Sequence, residues 1–268
     1  MLAGLSPARR RLVLAVLALA VVAALVAGGA LLLGRSSDAA GGEEVAQDEP
    51  GPVLLVPGYG GSTAALAPLA DRLAAEGRDA TVVAVPGDGT GDLAASADAL
   101  ATAAEQAMER TGADSVDVVG YSAGGVVARL WVAEGGADVA RRVVTLGSPH
   151  HGTTLADLAS SVGQQCPEAC RQMTTGSELL TRLNAGDETP EGPVWISIWT
   201  TQDQTVTPPE SARLAGALDL PVQSVCADAL VTHAELPGDP LVQAMVLAEL
   251  GAGPPVELGP ADCARLRG

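Results

Sequence analysis

The segment Gly120-Tyr121-Ser122-Ala123-Gly124 is where residue types and spacing first point to chemistry. A serine framed as G-x-S-x-G sits on a sharp turn from a strand into a helix, and the small neighbours let the two elements approach closely. Its hydroxyl then projects at the helix N-terminus, where the helix dipole favours developing negative charge. The flanks agree, because residues 116–119 read as a buried strand and 123–134 as a helix. The competing reading is an ordinary strand-to-helix turn in a nucleotide-binding fold.

A serine hydroxyl is a poor nucleophile without a base. The sequence offers His150, His151 and His233. In strand–turn–helix serine enzymes the chain order is nucleophile, acid, histidine. His233 follows the last expected strand, 222–226, and is the favoured base. His150 and His151 follow the strand just after the nucleophile helix and leave little chain for an acid before them. The acid must lie between 122 and 233, just past a strand. Asp203 meets this condition after the expected strand 194–200. Its role would be to fix the imidazole tautomer and stabilise the imidazolium. Asp228 is the rival, on the same loop as His233. Asp157 and Asp187 read as solvated surface residues. Acyl transfer also needs donors aimed at an oxyanion. One is expected at the N–H of Ala123. The other is expected from Pro57-Gly58-Tyr59-Gly60-Gly61-Ser62, with the Tyr59 N–H as the choice. That loop lacks the lysine of a phosphate-binding loop and the G-x-G-x-x-G spacing.

These residues need a scaffold that brings them together. Apolar runs at 53–56, 81–85, 116–119, 142–146, 194–200 and 222–226 read as strands. Helical periodicity appears at 62–76, 92–110, 123–134, near 208–218 and at 241–250. Uniformly apolar strands alternating with helices predict an α/β class with a mainly parallel central sheet and helices on both faces. Ligands bind such sheets beyond the C-terminal strand ends. Residues 152–192 break the alternation. They read either as a lid or acyl-pocket wall, or as a plain surface insertion.

Composition bounds the rest. The chain has no Phe, two Tyr and three Trp, so a ligand pocket is expected to be aliphatic. A formal charge of −17 repels phosphate backbones and anionic membrane surfaces, which argues against a nucleic-acid partner and bears mainly on solubility. Arg9, Arg10 and Arg11 precede an uncharged apolar run over 12–33, long enough to span a bilayer. The flanking charges place the N-terminus in the cytoplasm and the remainder outside. Residues 1–34 are thus an uncleaved anchor or a long signal peptide cut near 27–30 or 38–40. The length of the run favours the anchor. Residues 35–51 read as a flexible linker and 52–268 as one catalytic domain. Four cysteines in an exported chain imply disulfides with three possible pairings, of which Cys166–Cys170 and Cys226–Cys263 are favoured. A zinc site is disfavoured, because the C-x3-C pair has no nearby ligand to complete it. No metal and no cofactor is expected, and a monomer is.

Three segments carry a family resemblance. Val53-Leu54-Leu55-Val56-Pro57-Gly58-Tyr59-Gly60-Gly61, the Gly-Tyr-Ser-Ala-Gly-Gly elbow, and Thr145-Leu146-Gly147-Ser148-Pro149-His150-His151-Gly152-Thr153 resemble bacterial secreted class 2 triacylglycerol lipases and esterases, and more widely GPI-inositol-deacylase-like hydrolases. The likeness runs over roughly 52–250. It implies the α/β-hydrolase fold and cofactor-free hydrolysis of carboxylic esters. It assigns Ser122, Asp203 and His233 to a triad, and Tyr59 and Ala123 to the oxyanion hole. Many relatives have His-Gly where this chain has Pro57-Gly58. That departure leaves open how the oxyanion loop is braced and still keeps a backbone donor at Tyr59. The expected substrate is an acyl ester or lipid. Transfer of the acyl group to an envelope alcohol, and a catalytically silent binding domain, are the alternatives.

Overall fold

In the computed structural model, which describes residues 45–162 and 166–268, six strands hydrogen-bond in the order β2-β1-β3-β4-β5-β6. They are β1 (Val53–Val56), β2 (Ala80–Val82), β3 (Val116–Tyr121), β4 (Ala140–Leu146), β5 (Val194–Trp199) and β6 (Leu218–Pro221), and every pair is parallel. Parallel strands need crossovers that cover the sheet faces. Helices α1 (Ala67–Ala75), α2 (Leu93–Thr111) and α3 (Ala123–Ala133) supply the first of these. Side chains alternate between two cores. Leu54, Val56, Val118 and Val143 pack with α2 and α3, whereas Val53, Leu55, Val119, Val144 and Ile198 pack with α1 and with α8 (Pro240–Glu249). Helix α3 is buried from Ala123 to Val132, which accounts for its nearly uninterrupted apolar sequence.

Between β3 and β1 the strand order reverses direction, so a crevice forms at their C-terminal ends. Register fixes which loops meet there. Val56 pairs with Gly120, and Tyr121 with Leu146, so the segments after β1, β3 and β4 emerge side by side.

Two expected elements differ. Residues 222–226 do not form a strand; Val222–Val225 is a short helix, α7, and the sixth strand lies just before it. Only a 3-10 turn, Pro209–Ala212, occupies the region where a helix was expected over 208–218. The reason is positional. Strand β6 pairs only with β5 and is partly exposed, so Leu-Asp-Leu-Pro carries no continuous apolar run. Pro221 lacks an N–H and has φ −62, which ends pairing and starts the helix. The apolar Val222, Val225 and Cys226 are buried all the same, in the core beside α8.

The described residues of 152–192 include three helices, α4 (Thr154–Ser161), α5 (Glu168–Gln172) and α6 (Glu178–Leu183). They are tied to the sheet-covering helices. The Leu93 N–H at the start of α2 donates to Gln172 (2.9 Å), and the buried Arg129 of α3 donates to the Leu183 carbonyl (3.0 Å). At the opposite end of the sheet, fully buried Arg141 makes a bidentate contact with buried Asp117 (2.8 and 2.7 Å), and Arg78 joins the same carboxylate. The Arg141 guanidinium also donates to the carbonyls of Gln47, Leu250 and Gly251, fastening the segment before β1 and the C-terminal end of α8 to the strand edges. The cysteines are joined as Cys166–Cys170 and Cys226–Cys263, a feature consistent with an oxidising compartment. The apolar run over 12–33, and with it the anchor or signal-peptide expectation, lies outside the described residues. Among the described residues no helix is long and apolar enough to cross a membrane.

Candidate active site

The turn from β3 to α3 forces an unusual backbone on Ser122. Its φ is 54° and ψ −122°, the one positive φ of a non-glycine among the described residues. Such a conformation costs energy and persists only when its surroundings determine it. Here they do. The Ser122 N–H donates to the Leu146 carbonyl (2.9 Å), and the Gly125 N–H donates to the Ser122 carbonyl (3.0 Å). Helix and strand touch so closely that a Cβ on Gly124 would lie 2.2 Å from the Val56 oxygen. Small residues in the elbow are therefore a packing requirement.

His233 begins a 3-10 turn, His233–Glu235, and is buried beside the serine. Its Nδ1–H donates to Asp203 Oδ2 (2.7 Å), because a carboxylate can only accept there, and this leaves Nε2 facing the Ser122 hydroxyl at 3.1 Å. Asp203 lies in the loop after β5. Its Oδ1 accepts the N–H groups of Thr205 and Val206, both at 2.8 Å, so the carboxylate cannot turn away from the imidazole. The two loops are also joined directly. The Thr200 hydroxyl donates to the Val231 carbonyl (2.6 Å), and Gln202 donates to that of Ala229 (3.1 Å). Glu235 holds the approach to His233 by accepting from the N–H (2.8 Å) and hydroxyl (2.7 Å) of Thr232. The Tyr121 hydroxyl donates to the His233 carbonyl (3.2 Å), and its ring lies 5.2 Å from the imidazole. Burial, and then the nearby Asp203 charge, push the Tyr121 phenol up to about 12, so it remains neutral.

The rival residues lie elsewhere. Asp228 is on the surface in an ion pair with Arg267 (2.7 Å). His150 is fully buried and meets the Thr145 hydroxyl (3.2 Å); burial, with Arg129 nearby, holds its pKa well below the usual 6.5. His151 pairs with Glu188 (2.9 Å). Asp157 accepts the Thr175 N–H (2.8 Å), and Asp187 that of Thr189 (2.9 Å).

The loop carrying Tyr59 arches over the serine, since a Cβ on Gly58 would sit 3.0 Å from Ser122 Cβ. Ala123 opens α3, so its N–H has no acceptor within the helix. The brace for the Tyr59 loop comes from a segment that the sequence reading did not single out. The Gly60 N–H donates to the Gly89 carbonyl (3.2 Å), and a Cβ on Gly89 would lie 2.4 Å from the Gly61 nitrogen. Gly147 is a second residue whose role was missed. A Cβ there would be 3.2 Å from Asp203 Oδ2 and 3.3 Å from His233 Nδ1. Its position directly after an expected strand was the available signal.

A cavity of about 240 Å³ opens at Ser122 and Tyr59. Leu155, Ala156 and Ala159 of α4, with Cys170, Met173 and Val206, give it the aliphatic lining expected of a chain without Phe. Among the described residues, no group of three or more His, Cys, Asp or Glu is arranged to hold a metal.

A family described as the alpha/beta hydrolase fold matches residues 51–167. No curated protein matches the chain in sequence. Among solved structures, Aspergillus fumigatus lipase B is similar with a TM-score of 0.63 and 21% identity, over 81% of this chain and 60% of that one. A Bacillus licheniformis lipase is similar in its mature form with a TM-score of 0.53 and 22% identity, over 67% of this chain and 86% of that one. In its propeptide form the values are 0.58 and 19%, over 80% and 55%. The chain thus spans less than two thirds of the length of the Aspergillus lipase, with 60% of it covered.

Proposed function

From the α/β-hydrolase fold of this chain and the bonded series Ser122–His233–Asp203, we infer that it is a serine carboxylic-ester hydrolase. The observation that carries this reading is the 3.1 Å approach of His233 Nε2 to the elbow hydroxyl, with Nδ1 bound to a buried carboxylate. His233 takes the Ser122 proton as Oγ bonds to the ester carbonyl carbon. The carbonyl oxygen becomes an oxyanion facing the N–H groups of Tyr59 and Ala123. The intermediate collapses, the C–O bond to the alcohol breaks, and His233 returns the proton to the leaving oxygen. Water then attacks the acyl-enzyme, giving its proton to His233, and Ser122 recovers a proton as the free acid departs. No cofactor is needed.

Lipid-like esters are the proposed substrates. The cavity beside Ser122 is aliphatic; Leu155 in its lining is 50% exposed, and Leu158 and Val162, further along α4 and just past its end, are 63% and 66% exposed. In this reading residues 52–268 are the catalytic domain and 152–192 wall its pocket. Two disulfides and the apolar N-terminal run support an extracytoplasmic site of action. The test is hydrolysis of p-nitrophenyl esters together with labelling by a fluorophosphonate. The native chain should turn over ester and take the label, and Ser122→Ala should do neither. A native chain that does neither would overturn the reading.

A further inference from the structure

The cavity beside Ser122 carries information about which half of an ester it holds, an inference that rests on the hydrolase reading above. Its lining includes Ser122 and Tyr59 and does not include His233. The leaving alcohol must receive its proton from His233 Nε2, so the alcohol half of a bound ester lies on the imidazole side of Ser122. The carbonyl oxygen points to the donors at Tyr59 and Ala123. A cavity that touches the nucleophile and the oxyanion loop but not the imidazole therefore lies in the remaining direction, that of the acyl chain.

Helix α4 gives this direction a length. Its N-cap Thr153 donates through its hydroxyl to the Thr205 carbonyl (2.7 Å) and accepts the Thr207 N–H (3.1 Å), which fixes the start of the helix to the Asp203 loop. The helix then runs on past Ala156 to Ala159, about 9 Å from Thr153 at ~1.5 Å per residue. Met173 and the half-cystine Cys170 pack alongside, both buried. The volume of about 240 Å³ holds about eight chain atoms at ~30 Å³ for each water-sized group.

We propose that this cavity is the acyl-chain site, that it takes straight saturated acyl groups up to about eight carbons at ~30 Å³ per group, and that Ala159 and Met173 set that limit. The alcohol half faces the imidazole side, outside the cavity, and is selected far less strictly.

The test uses the purified full-length chain and two ester series: p-nitrophenyl esters from acetyl to palmitoyl, and acetate esters of alcohols of increasing length. For the native chain, kcat/KM should climb with acyl length to about octanoyl and then fall, while the alcohol series stays comparatively flat. Ala159→Leu should lower the octanoyl-to-acetyl ratio of kcat/KM at least tenfold, the scale of a few methylene groups excluded from an apolar pocket. Met173→Ala should move the optimum to longer chains, and it serves independently should the leucine variant fail to fold. If the variants reshape the alcohol series instead, or leave both series unmoved while Ser122 still takes a fluorophosphonate, the acyl assignment falls and the hydrolase reading stands. If the native chain neither labels at Ser122 nor turns over any ester, the reading beneath it falls too.

Discussion

Asp203→Asn replaces one atom, and the structure dictates which way the new amide faces. Asp203 Oδ1 already accepts two backbone N–H groups, from Thr205 and Val206, each at 2.8 Å. An asparagine keeps its oxygen there, because turning its NH2 toward two donors would leave both unsatisfied, a cost of ~1–3 kcal/mol for each buried group. The amide NH2 must then face His233 Nδ1, where the carboxylate now sits at 2.7 Å. Two donors cannot share that contact, so the imidazole adopts the other tautomer, with its proton on Nε2 facing Ser122. It can no longer accept the serine proton. The analogous substitution in a serine protease triad costs about 10⁴ in kcat, or roughly 5 kcal/mol of transition-state stabilisation. The expected result here is a kcat for p-nitrophenyl butyrate lowered 10³- to 10⁴-fold, an equally slowed reaction with fluorophosphonate, and a melting temperature close to native. A well-folded D203N variant retaining a tenth or more of native kcat would refute this reasoning.

Other perturbations probe the supports around the triad. Gly89→Ala places a methyl against the Gly61 backbone at a residue with φ 69°, and so should displace the Tyr59 loop; kcat should fall about 10- to 100-fold, toward the ~10²-fold cost of losing one oxyanion donor, with His233 and Asp203 undisturbed. A pH–rate profile of unchanged midpoint would accompany it, and unchanged kcat would contradict the bracing role. Asp117→Asn leaves Arg141 and Arg78 without their shared carboxylate and should cost ~3–5 kcal/mol in urea unfolding, as expected when one partner of a buried pair is removed. Glu249 is fully buried, and burial raises its carboxyl from 4.5 to about 7. Because the folded form holds its proton more tightly than the unfolded chain, the stability gained is complete below about pH 4.5 and is lost as pH rises through about 7. Glu249→Gln should therefore gain in melting temperature relative to native between pH 5 and pH 8, and a difference that does not vary with pH would contradict the shift.

The elements legible in the sequence are those whose burial is written in consecutive residues. Strands β1, β3, β4 and β5 are nearly wholly buried, and runs such as Val53–Val56 show it directly. The serine and aspartate could be placed because each follows such a strand; the histidine was reached by chain order, although the segment expected as the strand before it, 222–226, begins as a short helix. Strand β6 could not, because an edge strand with one partner needs no continuous apolar run, and the apolar Val222–Val225 beside it drew the assignment. Gly89 acquires its role only through the backbone of Gly61, distant in sequence, and Gly147 through Asp203 and His233, so that its place directly after a strand marks the position without revealing the role. Buried Arg129 and Arg141 likewise owe their burial to partners distant in sequence, the carbonyl of Leu183 for the first and Asp117 and the carbonyl of Leu250 for the second. The ambiguity of residues 152–192 was of the same kind, since a cavity wall and a surface insertion have similar compositions.

The central claim is that an ester's acyl group is carried on Ser122. Rapid mixing with p-nitrophenyl octanoate, acid quenching within a turnover, and peptide mapping by mass spectrometry would test it most directly. The account predicts an octanoyl adduct on the Ser122 Oγ that forms with the p-nitrophenol burst and decays as octanoate appears. Steady product formation with the Ser122 peptide unmodified, or an adduct on another residue, would contradict it.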